Sequence, residues 1–493
     1  MTGPNNAQGT TTYDAVSYTH LDVYKRQVQT NSDSSYSLPG VVSPGGNGNL
    51  ATSASYASSW AIVSMTGPNN AQGTTTYDAY GRPSQTQIPD GAVTAYAYTY
   101  NPNTQTATVN GRWKTTTLDG FGRTTRVQTG NGTTVVSTVD TQYTACACSP
   151  LGKMSAVSQP YGPGGAVHWT TYTYDGSGRT LTVTAPDGSS KTQYAYQGNS
   201  TTVTDPAGKW KTSTVDAYGN LVHVTEPNPA GGTLATNYAY TPANQLTGVS
   251  MTRGNVTQTR TFLYNGSDLV SSTNPENGTV TYAYDNSHHV TSRTDGMGQQ
   301  TQYTYDSYGR VTEVQYYPVS GWEDTTQRVV YYYDAIPYNS FPVPPTFPIP
   351  NPSLQNAAGR LAAVTFGGGV TDTFGDSYVY AYTYNQAGRV TLQQMGVLGA
   401  RYSGNSMSLA AAYTWDNEGR MTSLQYPTGY MPYGPYYLPT AGYTYDVNGR
   451  MSGMTWDTGN GDGPQPYANA TYGPAGQVPV SYTHLDVYKR QDE

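Results

Sequence analysis

The chain has 493 residues, of which only 11 % are charged and 12 % are aromatic, and 48 of the aromatic residues are tyrosine. A net charge of −7 without any basic cluster argues against a nucleic-acid partner, and no stretch approaches the ~20 apolar residues of a membrane span. A composition rich in Tyr and Thr and poor in charge favours β-strands over helices.

The two ends of the chain carry duplicated peptides. Residues 1–15 recur unchanged at 65–79, and the peptide that follows them, VSYTHLDVYKRQ, recurs unchanged at 480–491. Other repeats in the chain differ at most positions, and the 12-residue peptide resembles a translated sequencing adapter. We therefore interpret residues 1–27 and 479–493 as assembly artefacts and exclude them from fold reasoning. The alternative is a genuine duplicated terminal segment. On the first interpretation, any C-terminal domain of the parent protein is missing here.

Between these ends, the composition divides the chain into four segments. Residues 28–64 are rich in Ser, Gly and Asn, and we predict a linker or a degenerate repeat there. Residues 65–333 and 355–478 carry tandem repeats. Residues 334–354 hold seven prolines, which donate no hydrogen bond to a strand ladder, so we predict an extended insertion.

A six-residue motif, aromatic-Asp-x-x-Gly-Arg, recurs through both repeat segments, and we call it the hexad. Full copies begin at Tyr77, Tyr174, Tyr305, Trp415 and Tyr445, and close variants begin at Leu118, Val215, Gln355 and Tyr384. Asp suits the first position of a type I turn and Gly suits a left-handed fourth position. This combination closes a hairpin with a bulge.

The residues around the hexad support the same interpretation. Alternation before the turn, as in Tyr172-Thr173-Tyr174, places the tyrosines on one face of a strand. We therefore predict that each hexad is a hairpin tip in which Asp and Arg are structural. Arg179 is expected to turn back to a carboxylate or to stack on a tyrosine ring.

These tandem copies resemble the Rhs/YD-repeat family over roughly residues 65–478. The resemblance implies an all-β fold in which tandem hairpins form one long, curled antiparallel sheet, here a partial and open β-shell. Bacterial members of the family commonly enclose a C-terminal toxin, and the animal relatives are the teneurins.

The resemblance also implies a function. The chain would be a structural shell fragment that encapsulates or displays its own C-terminal polymorphic, toxin-like cargo domain, on a secreted or cell-surface protein. The alternative is a surface module that binds carbohydrate or cell-wall polymer through exposed tyrosines.

We predict no enzyme activity and no catalytic, cofactor or metal site, because no nucleotide-binding, zinc or nucleophile motif is present. Cys146 and Cys148 are too close for an unstrained disulfide. His288 and His289 replace the Gly-Arg of a hexad, and adjacent strand residues point to opposite faces. Residues 205–208 (DPAG) superficially resemble the self-cleaving element of bacterial relatives, but we interpret them as a turn.

Overall fold

A computed structural model describes residues 28–32, 38–146, 148–254, 256–319, 321–336, 355–367, 377–398, 406–427 and 438–478. These ranges contain 35 β-strands, three single-turn 3-10 helices and no α-helix, which confirms the all-β fold class. Within them, no helix has the length and apolar character needed to span a bilayer. The interpretations of residues 1–27 and 479–493, and of nearly all of the proline-rich segment, lie outside the described residues.

The strands follow one another along the chain with short turns between them. The first twelve are β1 (Val28–Ser32), β2 (Pro39–Pro44), β3 (Thr52–Tyr56), β4 (Ile62–Thr66), β5 (Gln72–Tyr77), β6 (Pro83–Gln87), β7 (Val93–Tyr100), β8 (Asn103–Val109), β9 (Arg112–Leu118), β10 (Thr124–Asn131), β11 (Thr134–Cys146) and β12 (Ser149–Ser158). The next twelve are β13 (Trp169–Tyr174), β14 (Thr180–Thr184), β15 (Lys191–Gln197), β16 (Ser200–Thr204), β17 (Trp210–Val215), β18 (Leu221–Pro227), β19 (Thr233–Tyr240), β20 (Leu246–Arg253), β21 (Val256–Asn265), β22 (Asp268–Asn274), β23 (Gly278–Tyr284) and β24 (Val290–Thr294).

The remaining strands lie on both sides of the proline-rich segment. They are β25 (Gln300–Tyr305), β26 (Val311–Tyr317), β27 (Val329–Tyr333), β28 (Leu361–Gly367), β29 (Ser377–Tyr384), β30 (Val390–Leu398), β31 (Ser406–Trp415), β32 (Met421–Gln425), β33 (Thr440–Tyr445), β34 (Met451–Asp457) and β35 (Gln465–Asn469). The 3-10 helices are Gly48–Leu50, Pro68–Asn70 and Thr325–Gln327. All 35 strands belong to one sheet.

The chain forms two compact units, the first being Met1–Tyr96 with Ala283–Asn469 and the second Ala97–Tyr282 with Ala470–Glu493. In the first unit, β1 to β6 pair in order and β24 to β35 pair in order, each antiparallel to the next. In the second unit, β8 to β22 do the same. Strands β1 to β3 and the first half of β4 lie within residues 28–64, so that segment takes part in the sheet.

Alternate turns of an antiparallel meander lie at opposite edges of the sheet, because successive strands reverse direction. In each unit the hexad turns therefore share one edge, which we call the tip edge. The turns between hexads share the other edge, which we call the return edge. In the second unit, for example, hexad turns follow β9, β13 and β17, and return turns follow β14, β16 and β18.

The two faces of the sheet differ as the alternation predicts. In β13, Tyr172 and Tyr174 are half-buried whereas Thr171 and Thr173 are exposed. The exposed face carries cross-strand hydroxyl pairs, such as Thr173 with Thr182 at 2.6 Å. The Tyr-Thr alternation thus separates a packed aromatic face from a hydrated hydroxyl face.

Full burial is rare and concentrated in the first unit. One cluster of buried residues contains Ala362, Ala363, Val379 and Ala381 from β28 and β29, with Tyr332 of β27 packed against it. Val379 is the largest fully buried side chain among the described residues. Most strand residues are only half-buried, so the contacts between neighbouring hairpins have to hold the sheet together.

Candidate functional site

The hexad turn has the geometry that its sequence predicts. In the copy at residues 174–179, Asp175 Oδ1 accepts the backbone N–H of Ser177 and of Arg179, both at 2.9 Å. Gly178 has φ +80° and donates its N–H to the Asp175 carbonyl at 3.0 Å. The register between β13 and β14 shifts at Tyr174, which is the expected bulge. The copy at residues 174–179 is therefore a hairpin tip with a bulge, as predicted. In the copy predicted to begin at Gln355, the turn carboxylate is instead Asp334, whose N–H is donated to the Arg360 carbonyl at 2.9 Å.

The charged pair within each hexad stabilises the turn. Arg179 Nε donates to Asp175 Oδ2 at 2.7 Å. The backbone N–H of Arg179, followed by its guanidinium and the N–H of Ser177, lowers the pKa of Asp175 below its ordinary value despite some desolvation. The pKa is likewise lowered at Asp78, Asp119, Asp416 and Asp446, where donors on the hexad overcome the opposing desolvation. These carboxylates are held ionised as turn acceptors.

The arginine of the hexad makes its second contact with the next hairpin. The guanidinium of Arg179 lies 4.3 Å from the ring centroid of Tyr196, on β15. The sequence predicted that Arg179 would contact either a carboxylate or a tyrosine ring, and in the structure it contacts both. A planar guanidinium can use its edge for a carboxylate and its face for a ring.

The same aromatic ring also forms a hydrogen bond at its far end. Tyr196 donates its hydroxyl to the carbonyl of Thr180, the residue directly after Arg179, at 2.8 Å. We call this combination the aromatic staple: a ring over the sixth residue of one hexad, with its polar hydrogen donated to the carbonyl of the following residue. This staple joins the hairpin of β15 and β16 to the hairpin of β13 and β14 before it.

The staple recurs along the described chain. In five further staples, a ring lies over the sixth residue of the preceding hexad. The pairs and their distances to the ring centroid are Tyr143 over Arg123 (4.1 Å), Tyr305 over His289 (4.7 Å), Tyr384 over Arg360 (5.5 Å), Trp415 over Arg389 (5.8 Å) and Tyr445 over Arg420 (4.6 Å). Each ring donates its polar hydrogen to the carbonyl of the residue after that sixth residue. Tyr143 donates to Thr124 at 3.0 Å, and Tyr305, Tyr384, Trp415 and Tyr445 donate to Val290, Leu361, Val390 and Met421, each at 2.7 Å. In four of these five cases the ring is the first residue of the next hexad. Tyr and Trp both suit this position because both carry a polar hydrogen at the end of the ring.

The histidine pair forms a variant of the same arrangement. His288 has φ +64° and stands where other hexads have glycine. His289 takes the place of the arginine, with Nδ1 3.1 Å from Asp285 Oδ2 and its ring stacked on Tyr305. A cavity of about 420 Å³ lies beside it, lined in part by Tyr303.

The other residues singled out from the sequence lie apart from one another. Cys146 and Cys148 form a disulfide between β11 and β12, with 5.1 Å between their Cα atoms. Asp205 accepts the N–H of Lys209 at 2.8 Å, and Gly208 has φ +79°, so residues 205–208 form a hairpin turn like the hexads. Among the described residues, no group of three or more His, Cys, Asp or Glu is placed to hold a metal ion.

Within the first unit, return turns from its N-terminal strands contact hexad tips far along the chain. Asn47, after β2, donates its amide to the hydroxyl of Tyr308 at 3.0 Å. Asn69, after β4, exchanges two hydrogen bonds with the backbone of Ala358, at 2.8 and 3.0 Å. Asp90, after β6, is within 3.3 Å of Arg389. These contacts join strands 261 to 299 residues apart in sequence, and no local pattern predicts them.

Comparison with known proteins places this geometry in context. The RHS Repeat family matches residues 174–209, 264–296 and 286–318. The match to a crystal structure of TcdB2-TccC3 covers 92 % of this chain and 26 % of that chain, with 16 % identity and a TM-score of 0.67. The match to TcdB2-TccC3 without its hypervariable C-terminal region covers 92 % of this chain and 28 % of that chain, with 14 % identity and a TM-score of 0.67. The Photorhabdus luminescens Tc holotoxin pore matches the same shares at 14 % identity, with a TM-score of 0.66.

These matches confirm the repeat type and the fold. No protein with curated annotation matches the chain in sequence. The chain spans about a quarter of the length of the solved chains that it matches. At this level of identity the structural likeness establishes the fold alone.

Proposed function

We propose, from the premise that this chain is an Rhs/YD-repeat protein, that it forms part of the wall of a shell which encloses or displays a C-terminal cargo domain. The observation that carries the proposal is the aromatic staple. The same contacts recur at six tip turns between Arg123 and Tyr445, so they hold successive hairpins in equivalent positions at intervals over hundreds of residues. Similarity to TcdB2-TccC3 over 92 % of the chain supports the same role.

The cargo is the part of the proposal that depends most on the relatives. One matched structure is described as TcdB2-TccC3 without a hypervariable C-terminal region. A variable region at the end of a repeat shell is the kind of partner that we propose for this chain. The proposal further places the parent protein outside the cell or on its surface, where such a shell would deliver its content.

The wall role requires no catalytic chemistry, and we propose that the chain is not an enzyme. The hexad carboxylates accept two backbone N–H groups and a guanidinium each, as at Asp175 and Asp306. At Asp175 the pKa is lowered rather than raised towards neutrality, which makes this carboxylate a poor general acid or base.

Glycan binding through tyrosine rings has less support. In the staples, one face of the ring lies on a guanidinium or imidazole, and the hydroxyl is donated to a carbonyl, as at Tyr196. A ring engaged in this way offers at most one face to a sugar. The tyrosines of the staples are accounted for by contacts between hairpins.

The test is limited proteolysis of the longer parent protein. We expect a resistant β-rich shell and a C-terminal fragment that is protected until the shell is opened by denaturant. A parent variant that combines Arg179→Ala, Arg310→Ala and Arg420→Ala loosens three junctions and should expose the fragment at lower denaturant. A fragment that is digested freely in the intact protein would refute enclosure. Tight binding of residues 65–478 to a glycan array would then favour the alternative.

A further inference from the structure

The turn between β11 and β12 is a longer version of the hexad turn. Tyr143 pairs with Met154 across it, as Tyr174 pairs with Thr180 across the hexad tip that follows. Tyr174 donates its hydroxyl to the Met154 carbonyl at 2.8 Å, and its ring centroid lies 5.6 Å from Lys153 Nζ. Lys153 therefore stands in the sixth position of this tip, with the staple contacts that arginine has elsewhere.

A disulfide takes the place of the carboxylate in this tip. The second position holds Thr144, where the following hexad has Asp175. The two strands continue past that position and end at the Cys146–Cys148 disulfide, where Cys148 also donates its backbone N–H to Cys146 Sγ at 3.2 Å. A sulfur bond thus closes a turn that lacks the Asp–Arg pair.

The longer turn contacts the tips on both sides of it. On one side, Arg123 donates a guanidinium N–H to the Leu151 carbonyl. On the other side, the disulfide lies against the following tip, since a Cβ built on Gly178 would be 3.1 Å from Cys148 Sγ. A change at the sulfur bond can therefore reach two neighbouring hairpins.

The surroundings of the disulfide are cationic and partly open to solvent. Both cysteines are half-buried. The same Cβ position on Gly178 is 3.2 Å from Lys153 Cε, so the lysine side chain and the Cys148 sulfur border the same glycine. The carboxylate of the adjoining tip, Asp175, is already paired with Arg179 at 2.7 Å. A cysteine sulfur that is partly accessible and lies next to a lysine or arginine is in a setting that favours the thiolate.

We propose that the Cys146–Cys148 disulfide is a thiol–disulfide exchange site for low-molecular-weight thiols, with Lys153 as the activating cation, and that its reduction loosens the junctions on both sides. The thiolate of a first thiol attacks one cysteine sulfur, and the S–S electron pair leaves on the other cysteine as a thiolate. A second thiolate attacks the mixed disulfide at the sulfur of the first thiol and releases the remaining cysteine. Two thiols are thereby oxidised to one disulfide, and their two protons pass to the two cysteines. This chemistry is independent of whether the shell encloses a cargo.

The first test compares the rate of reduction by excess glutathione in the folded full chain and in the chain unfolded by urea. Samples are quenched with iodoacetamide at intervals, and mass spectrometry follows the peptide that carries both cysteines. We expect the folded chain to react within about tenfold of the rate of the unfolded chain, because the sulfurs are partly accessible and lie beside a cation. A disulfide that is reduced only after unfolding would refute the exchange site.

A pair of lysine variants tests the cation. Lys153→Gln should slow the reduction about two- to fivefold through loss of one partly exposed charge. Lys191→Gln removes an exposed lysine at the return edge of β15 and should leave the rate unchanged. Equal rates in the two variants would exclude Lys153 as the activating cation.

The second test follows local opening of the hairpins by hydrogen exchange before and after reduction. Reduction should raise the exchange rates in β11 to β14 at least about fivefold, because the open state is no longer cross-linked, and β20 to β22 serve as the internal reference. The variant Cys146→Ser with Cys148→Ser should exchange at the reduced rate and should not respond to glutathione. Unchanged exchange in the reduced wild type, or a response to glutathione in the cysteine-free variant, would overturn the loosening.

Discussion

The hydroxyl of the staple gives the sharpest quantitative prediction, and Tyr445→Phe isolates it. Tyr445 donates its hydroxyl to the Met421 carbonyl at 2.7 Å, while its ring lies over Arg420. Phenylalanine keeps the ring and its contact with the guanidinium and removes only the hydrogen bond. A hydrogen bond of this kind contributes about 1 kcal/mol, because the unfolded chain regains its bond to water.

The assay must report on one junction, since a long repeat chain does not unfold in a single step. Hydrogen exchange of peptides from β32 and β33 measures local opening. If the free energy of local opening falls by about 1 kcal/mol, the exchange rates in β32 and β33 should rise about fivefold. Exchange in β8 to β10 should change little.

A neighbouring tyrosine supplies the control. Tyr443 lies two residues earlier on the same face of β33 and is half-buried. Tyr443→Phe removes a hydroxyl outside the staple and should change exchange much less than Tyr445→Phe. Equal effects from the two variants, or none from Tyr445→Phe, would mean that the staple hydroxyl does not hold the junction.

Three further predictions follow from the same geometry. Trp415→Tyr preserves a polar hydrogen for the Val390 carbonyl and should lower the melting temperature less than Trp415→Phe, as scanning calorimetry can measure. Gly81→Ala, at φ +75° with open space around it, should lower the free energy of local opening by about 1–2 kcal/mol, measured by hydrogen exchange in β5 and β6. Gly120→Ala, in equally open space without positive φ, should leave exchange in β9 and β10 unchanged or slightly slower. The pKa of Asp175 is lowered in the folded chain, so the ionised carboxylate stabilises the fold. This stabilisation is fully present when the pH is above 3.8, the ordinary pKa, and is lost as the pH falls through the lowered pKa. Melting temperatures recorded by circular dichroism down to pH ~2 should therefore fall less for Asp175→Asn than for the wild type.

The sequence predicts well those features that are set within a single hairpin. Asp, Gly and the Tyr-Thr alternation each have a preferred backbone conformation, so tip, bulge and strand face follow from residues within one hairpin. The forward partner of Arg179 could not be predicted in this way. Its ring is Tyr196, and the next hairpin contains Tyr194 as well. Which of the two covers the guanidinium depends on the strand register, which sequence periodicity leaves open. For four other staples, the Tyr or Trp at the first hexad position was the available signal, but Tyr196 does not begin a hexad.

The disulfide shows a different limit. The single residue between Cys146 and Cys148 indicated that a disulfide there would be strained, and the structure does bond the two sulfurs where the chain reverses between β11 and β12. Spacing in sequence does not give the separation of Cα atoms, which is 5.1 Å here and within the usual range for a disulfide. A tight turn brings near neighbours into a geometry that an extended chain would not allow.

The degenerate hexads indicate what the motif requires. Asn220 stands where arginine is usual, yet its amide bonds back to Asp216 at 3.0 Å and forward to Asn244 in the next tip turn at 2.9 Å. Gln245 in turn donates to the Gly266 carbonyl, one tip further, at 2.6 Å.

The full hexads obey the same rule with a different chemistry. Arg310 bonds back to Asp306 and forward to Asp334, both at 2.7 Å. At these two tips the sixth position supplies a donor that reaches both its own turn and the following one. Arginine does this best, because its five N–H groups and its flat face serve a carboxylate and a ring together. Such tips are completed by the hairpin that follows them, which gives the sheet a direction that its antiparallel pairing alone would not give.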